Sequence, residues 1–244
     1  MTLDHVRPDW PAPRNVHALS TTRMGGVSRG AYASLNLAQH VGDIPVSVLA
    51  NRAKLQLDMG TAKPRWLSQV HGTRVAVLDG MPVQEPADAA VCAASGEACV
   101  IMTADCLPVL FCDQGGTKVA AAHAGWRGLS SGVLEATVQG MAVAPGKLMA
   151  WFGPAIGPQA YEVGDEVREA FVRQSAKAAA AFKPGKDLGK WWCDLYLLAR
   201  LRLETLGLNS IHGGGFCTYT ERERFFSFRR DGQCGRMASL IWLE

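Results

Sequence analysis

The sequence predicts an α/β fold of the α+β kind, a mixed β-sheet sandwich with helices packed on it. Three observations lead there. Short apolar runs outnumber amphipathic stretches, the two kinds do not alternate as strictly as in a doubly wound sheet, and Gly, Pro or Asp punctuates the chain evenly with no repeat or linker. At 244 residues the chain can bury a substantial core, and it reads as a single catalytic domain over residues 1–244.

Taken in order, apolar runs at 16–20, 66–70, 75–78, 98–103, 107–111, 118–122, 149–152 and 239–242 suit buried strands. The first helix is predicted over 47–59, opening on Ser47 as its cap, turning Leu49, Ala53 and Leu57 inward and closing at Gly60. Further helices are predicted over 130–141, 165–174 and 194–206, the last stopping before Gly207. The alanine-rich 176–181 reads as a helix end or a surface turn.

Composition narrows the function classes. With 25 basic against 22 acidic residues, no concentrated basic field exists to attract nucleic acid or a membrane surface, so a small-molecule substrate fits better. The N-terminal stretch has charge and proline but no apolar run, and nothing later reaches the length of a membrane span. Seven cysteines without an export signal point to reduced thiols and a cytoplasmic protein. Cys92, Cys99, Cys112, Cys193 and Cys217 lie in apolar surroundings that suit core thiols, and Trp191 and Trp192 read as packing residues. His212 and its three following glycines resemble a lipase oxyanion loop, but no Gly-x-Ser-x-Gly elbow accompanies them, so a glycine-rich turn is expected.

Three residues with useful chemistry directly follow apolar strands: His71 in WLSQVHG, Cys106 in VIMTADCLP and His123 in KVAAAHAGWR. Strand ends fix the backbone while the adjoining loop frees the side chain, so function collects there. Their separations miss the compact spacings that identify zinc sites, and a lone Cys or His is more often a core residue. Asp105, beside Cys106, could shuttle protons or orient a histidine, or could be a turn residue.

The surrounding segments STTRMGGVSRGAYASLNLAQHVGD, LSQVHGTRV, TADCLPVLF, AAHAGWRGLSSGVLE, GPAIGPQAYEVGDEV and FFSFRRDGQCGRMASLIWL resemble the YfiH family, and the match covers nearly the whole chain. Members of that family are variously described as laccase-domain proteins, polyphenol oxidases, purine nucleoside phosphorylases and peptidoglycan-editing factors. The resemblance implies a fold related to the catalytic domain of cytotoxic necrotizing factor, and a zinc ion held by His71, Cys106 and His123 with one position open. It also implies phosphorolysis of adenosine, inosine, guanosine or methylthioadenosine, together with deamination of adenosine.

Phosphorolysis needs an anion site beside the ribose. Arg23, next to Gly25 and Gly26, and Arg229 with Arg230 are candidates for it, with Ser28, Asn36 and His40 as further contacts to ribose or base. The His-x-Glu and Pro-Cys-x-x-Cys elements of cytidine-type deaminases are absent. The alternatives are a copper-dependent polyphenol oxidase, an amidase acting on UDP-muramyl-serine, a Cys106–His123 hydrolase, and a non-enzyme that holds zinc structurally. Six histidines are too few and too scattered for a multicopper centre. The chain departs from the family at Cys234, where Thr is usual, and a monomer is expected.

Overall fold

In chain order the early elements of the computed structural model are β1 (His5–Val6), β2 (Val16–Thr21), α1 (Pro45–Met59), β3 (Lys63–Trp66), β4 (Val75–Leu78) and β5 (Ala89–Cys92). There follow β6 (Glu97–Thr103), β7 (Leu107–Asp113), β8 (Val119–Ala124), α2 (Trp126–Ser131), α3 (Val133–Met141) and β9 (Leu148–Phe152). The rest are β10 (Glu162–Gly164), α4 (Asp165–Val172), β11 (Phe182–Pro184), β12 (Lys190–Cys193), α5 (Leu195–Thr205), β13 (Ser210–Gly213), α6 (Phe228–Asp231) and β14 (Met237–Leu243). The structure describes residues 3–78, 80 and 85–244.

A five-stranded sheet in the order β1-β2-β14-β6-β3 faces a six-stranded sheet in the order β13-β9-β7-β8-β5-β4. A small third sheet runs β10-β12-β11. Both large sheets mix parallel and antiparallel pairs, as expected of the mixed fold.

Period-2 alternation sorts side chains into layers. In β7, Val109 and Phe111 point to the helices while Leu110 and Cys112 point between the sheets. In β6, Cys99 and Ile101 enter the inter-sheet core while Ala98 and Val100 meet α1 on the outer side. Strands covered on both faces read as unbroken apolar runs, which is why they were visible in the sequence.

Four elements differ from expectation. Helix α1 begins at Pro45, which presets the first helical turn, and the Ser47 N–H donates to the Ile44 carbonyl, so Ser47 is not the cap. Its buried face is Val48, Asn51, Leu55 and Met59, and Leu49 and Leu57 face outward. The segment 67–70 is not strand, because it leaves the sheet after Trp66 and its Val70 N–H turns to the Asp88 side chain. The helix expected over 130–141 is two, α2 and α3, broken where Gly132 takes φ 102°. The alanine run 176–181 is a 3-10 helix, whereas α5 opens on Asp194, whose carboxylate accepts from the Leu197 N–H, and ends before Gly207 as expected.

Candidate metal centre

Register brings the site together. β7 and β8 are antiparallel with Leu107 opposite Ala124 and Pro108 opposite His123, so Cys106, one residue before β7, lies beside the end of β8. β5 flanks β8 on the other side with Ala89 opposite Ala122, and the His123 N–H donates to the Asp88 carbonyl at 2.7 Å. The loop after β3 then folds over the same strand ends and delivers His71, whose φ of 61° places it in the left-handed region.

One ligand atom from each of His71, Cys106 and His123 lies within 4.8 Å of the others. The two imidazole rings meet edge to face at 4.7 Å between centroids. Gly125 keeps the space between them clear: a Cβ there would sit 3.0 Å from the Cys106 Sγ, 3.1 Å from His71 Cδ2 and 3.5 Å from His123 Nε2. Two imidazoles and a thiol converging on a cradle that a single methyl group would fill suit one ion of the zinc or copper type.

Asp88, which the sequence reading missed, organises this centre. It is fully buried, and its carboxylate accepts from the backbone N–H groups of Val70, His71 and Gly72 at 3.1, 2.9 and 2.7 Å. The same carboxylate accepts from His123 Nδ1 at 2.8 Å, leaving Nε2 to face the cradle. Burial pushes the Asp88 carboxyl up, but the bonds from His123, Gly72 and Val70 outweigh it and hold it below its usual value. Burial also opposes the charged forms of Cys106 and His123. Their mutual attraction, aided by His71 for the thiol and Asp88 for the imidazole, reverses both, drawing the thiol down and the imidazole up.

A cavity of about 260 Å³ opens on the three donors. His40, anticipated from the sequence, lines it, and so do residues that were not, among them Gln69, Met102, Phe228 and Arg236. Gln69 is fixed by a pair of hydrogen bonds to the Met102 backbone at 2.8 and 2.9 Å. Arg236 Nη1 donates to the carbonyls of Cys234 and Gly235, which leaves Nε and Nη2 without a protein partner among the described residues. Burial and the nearby Arg236 and Arg52 push the His40 imidazole down.

The other anticipated contacts do not line this cavity. Ser28 and Asn36 are buried, the serine hydroxyl donating to Asp43 and the asparagine amide to Asp43 and the Ala38 carbonyl. Arg23 is committed to the carbonyls of Ala33 and Arg222. The backbone around Gly26 is closed as well, because its N–H donates to Ser34 and a Cβ would collide with the Ser34 carbonyl at 2.0 Å. The Arg229 guanidinium donates to the Glu162 carbonyl, and Arg230 to Asp231 and the carbonyls of Thr218, Tyr219 and Phe225.

Asp105 does not touch either histidine; its two oxygens accept from Thr218 Oγ1 and the Arg229 N–H. Cys234 is buried in the inter-sheet core and does not itself line the cavity, but its Sγ accepts from the cavity-lining Arg236 Nη1 at 3.6 Å, so a residue at this position acts on the cavity through Arg236. Cys217, expected in the core, is half-exposed, and its Sγ accepts the Gly157 N–H at 3.3 Å.

Residues 17–244 match the family model described as multi-copper polyphenol oxidoreductase laccase. The chain is 56% identical over 240 residues to the purine nucleoside phosphorylase YfiH of Escherichia coli, covering 98% of each. It belongs to the YfiH family. A purine nucleoside phosphorylase of Pseudomonas aeruginosa is 54% identical over 239 residues, again covering 98% of both chains. Among solved structures, Neisseria meningitidis NMB0706 superposes with a TM-score of 0.93 at 53% identity, covering 98% of this chain and 99% of that one. YlmD of Geobacillus stearothermophilus gives 0.89 at 30% identity, covering 98% and 96%.

The histidines outside the site bear on the oxidase description. His5 pairs with Asp58, His17 with Glu244 and His212 with Ser210, and among the described residues the only cluster of three metal-binding side chains is His71, Cys106 and His123. No helix among them is long and apolar enough to cross a membrane.

Proposed function

We propose that this YfiH-family chain is a zinc-dependent purine nucleoside phosphorylase, which also deaminates adenosine by hydrolysis at the same site. The observation that carries the reading is the cavity itself, whose lining brings together three metal donors, Arg236 and His40. When bound through His71, Cys106 and His123, zinc supplies a Lewis acid that polarises a substrate oxygen.

The protein's own residues supply the rest. Arg236, with Nε and Nη2 unpaired among the described residues, holds the phosphate dianion, and His40 adds a second donor beside it. Phe228 and Met102 offer apolar faces to the purine, and the anchored Gln69 limits its position. Phosphate oxygen bonds to the ribose C1′ as the bond from C1′ to the base nitrogen breaks, and the base leaves with a proton from solvent or phosphate. Asp88 keeps His71 and His123 in place throughout.

Incubation of metal-characterised protein with adenosine, with and without phosphate, tests this. Phosphate-dependent release of adenine and ribose 1-phosphate is expected, with inosine formed independently of phosphate. Absence of all three products, with cleavage of a UDP-muramyl-serine substrate, would overturn it. The coupling of Cys106 to both histidines also favours a second reading, in which the thiolate is itself a nucleophile. Retention of metal with loss of turnover in Cys106→Ser is its signature.

A further inference from the structure

We infer that Asp105 is a positioning residue that fixes the Phe228 wall of the cavity relative to the turn carrying Cys106. The inference rests on the nucleoside reading for its kinetic consequence but not for its structural one. Asp105 occupies φ 92°, a left-handed conformation that disfavours a side chain, so its place in the turn is not explained by backbone preference. Each side-chain oxygen has a partner within the protein. Oδ1 accepts from the buried Thr218 hydroxyl at 2.6 Å, and Oδ2 accepts from the Arg229 N–H at 2.7 Å. Its carbonyl accepts from the Ile156 N–H at 2.9 Å. One residue thus ties the Cys106 turn to three separate segments.

The Arg229 bond is the important one. Phe228 immediately precedes Arg229, lines the cavity with Cys106, and is 58% exposed, with the Arg236 guanidinium 5.8 Å from its ring centroid. α6 is a four-residue helix whose other N-terminal anchor is Ser227, accepting from the Arg230 N–H at 3.2 Å. The Asp105 carboxylate therefore sets where the aromatic wall stands over the donors. A proton shuttle needs a carboxylate oxygen open to substrate, and both oxygens here are held within the protein.

Two substitutions separate position from charge. Asp105→Gly deletes both side-chain bonds and relieves the φ strain, so the chain keeps its fold. Asp105→Asn keeps both bonds without the charge: Oδ1 accepts from Arg229, and Nδ2 donates to the Thr218 hydroxyl, which can accept as readily as donate. In Asp105→Gly, KM for adenosine is expected to rise roughly tenfold while kcat and zinc content stay within about twofold, and the Arg229 amide exchanges faster with solvent. Asp105→Asn restores both KM and amide protection. Loss of kcat in both variants, marking a role for the charge, overturns the inference. So does an unchanged KM and unchanged Arg229 protection in the glycine variant. If the wild-type protein turns over no nucleoside, the phosphorylase reading fails separately, and Arg229 exchange decides: protection lost in Asp105→Gly and recovered in Asp105→Asn upholds the inference, and any other pattern overturns it.

Discussion

Residues 23–43 and the segments carrying His71, Cys106 and His123 present the same kind of polar motif in sequence, yet the structure uses them in opposite ways. In the first region, Arg23, Ser28, Ser34 and Asn36 bond inward, and Asn51 of α1 ties them together by donating to Ser28 Oγ and the carbonyls of Ser34 and Asn36. In the second, the donors converge on a cradle, and a separate residue, Asp88, holds His123 by its Nδ1 and His71 by its backbone N–H. Polar residues serve ligands when a second layer of protein relieves them of structural duty, and serve the fold when they bond to one another.

Substitutions should expose that contrast. The largest effect is expected from Cys106→Ala, where metal content and turnover fall together, the latter on the order of a thousandfold, as measured by elemental analysis and steady-state kinetics. Asp88→Asn comes next: it keeps the shape but cannot satisfy three backbone N–H groups and an imidazole equally, so metal affinity drops roughly 10- to 100-fold in a chelator competition.

Asn51→Ala acts on the other region, leaving the Val27 N–H and the Asn36 carbonyl without the partner that Asn51 supplies and the Ser34 carbonyl with only the Ser28 N–H. It is expected to cost about 2–3 kcal/mol in denaturant unfolding with metal content unchanged. A loss of metal there would erase the distinction between the regions.

The smallest effect concerns Asp113, the last residue of β7, whose side chain caps the turn to β8. Burial pushes its carboxyl up, but bonds from the Lys118, Thr117 and Gly115 N–H groups and the Thr117 hydroxyl outweigh that and lower its pKa. A lowered folded-state value means the stabilisation is complete above the unfolded value near 4 and is lost as pH falls through the folded one. Asp113→Asn is thus expected to destabilise by about 1 kcal/mol at pH 7, with the difference closing in acid.

Much of this was legible before the structure. Unbroken apolar runs marked β6, β7, β8 and β14 because both faces of those strands are covered, and Cys106 and His123 were legible at strand ends, whereas His71, expected to follow a strand directly, sits in the loop after β3 and was marked by the family motif alone. The inward face of α1 was not, because the helix carries apolar residues on opposite sides and its buried face includes the polar Asn51, needed to wire the 23–43 loop. Asp88 was hidden as a lone acid in an alanine-rich segment, since its role depends on β5 lying beside β8. Arg236 and Phe228 were equally hidden: they reach the donors only through the packing of the C-terminal segments, while the arginines that drew attention, Arg229 and Arg230, turn to backbone carbonyls.

The most direct test of the three-donor centre is elemental analysis of protein purified without added metal, comparing the wild type with His71→Ala, Cys106→Ala and His123→Ala. About one zinc per wild-type chain, lost in all three variants, is the expected result. Several copper ions per chain, or zinc retained at full stoichiometry in Cys106→Ala, would contradict it.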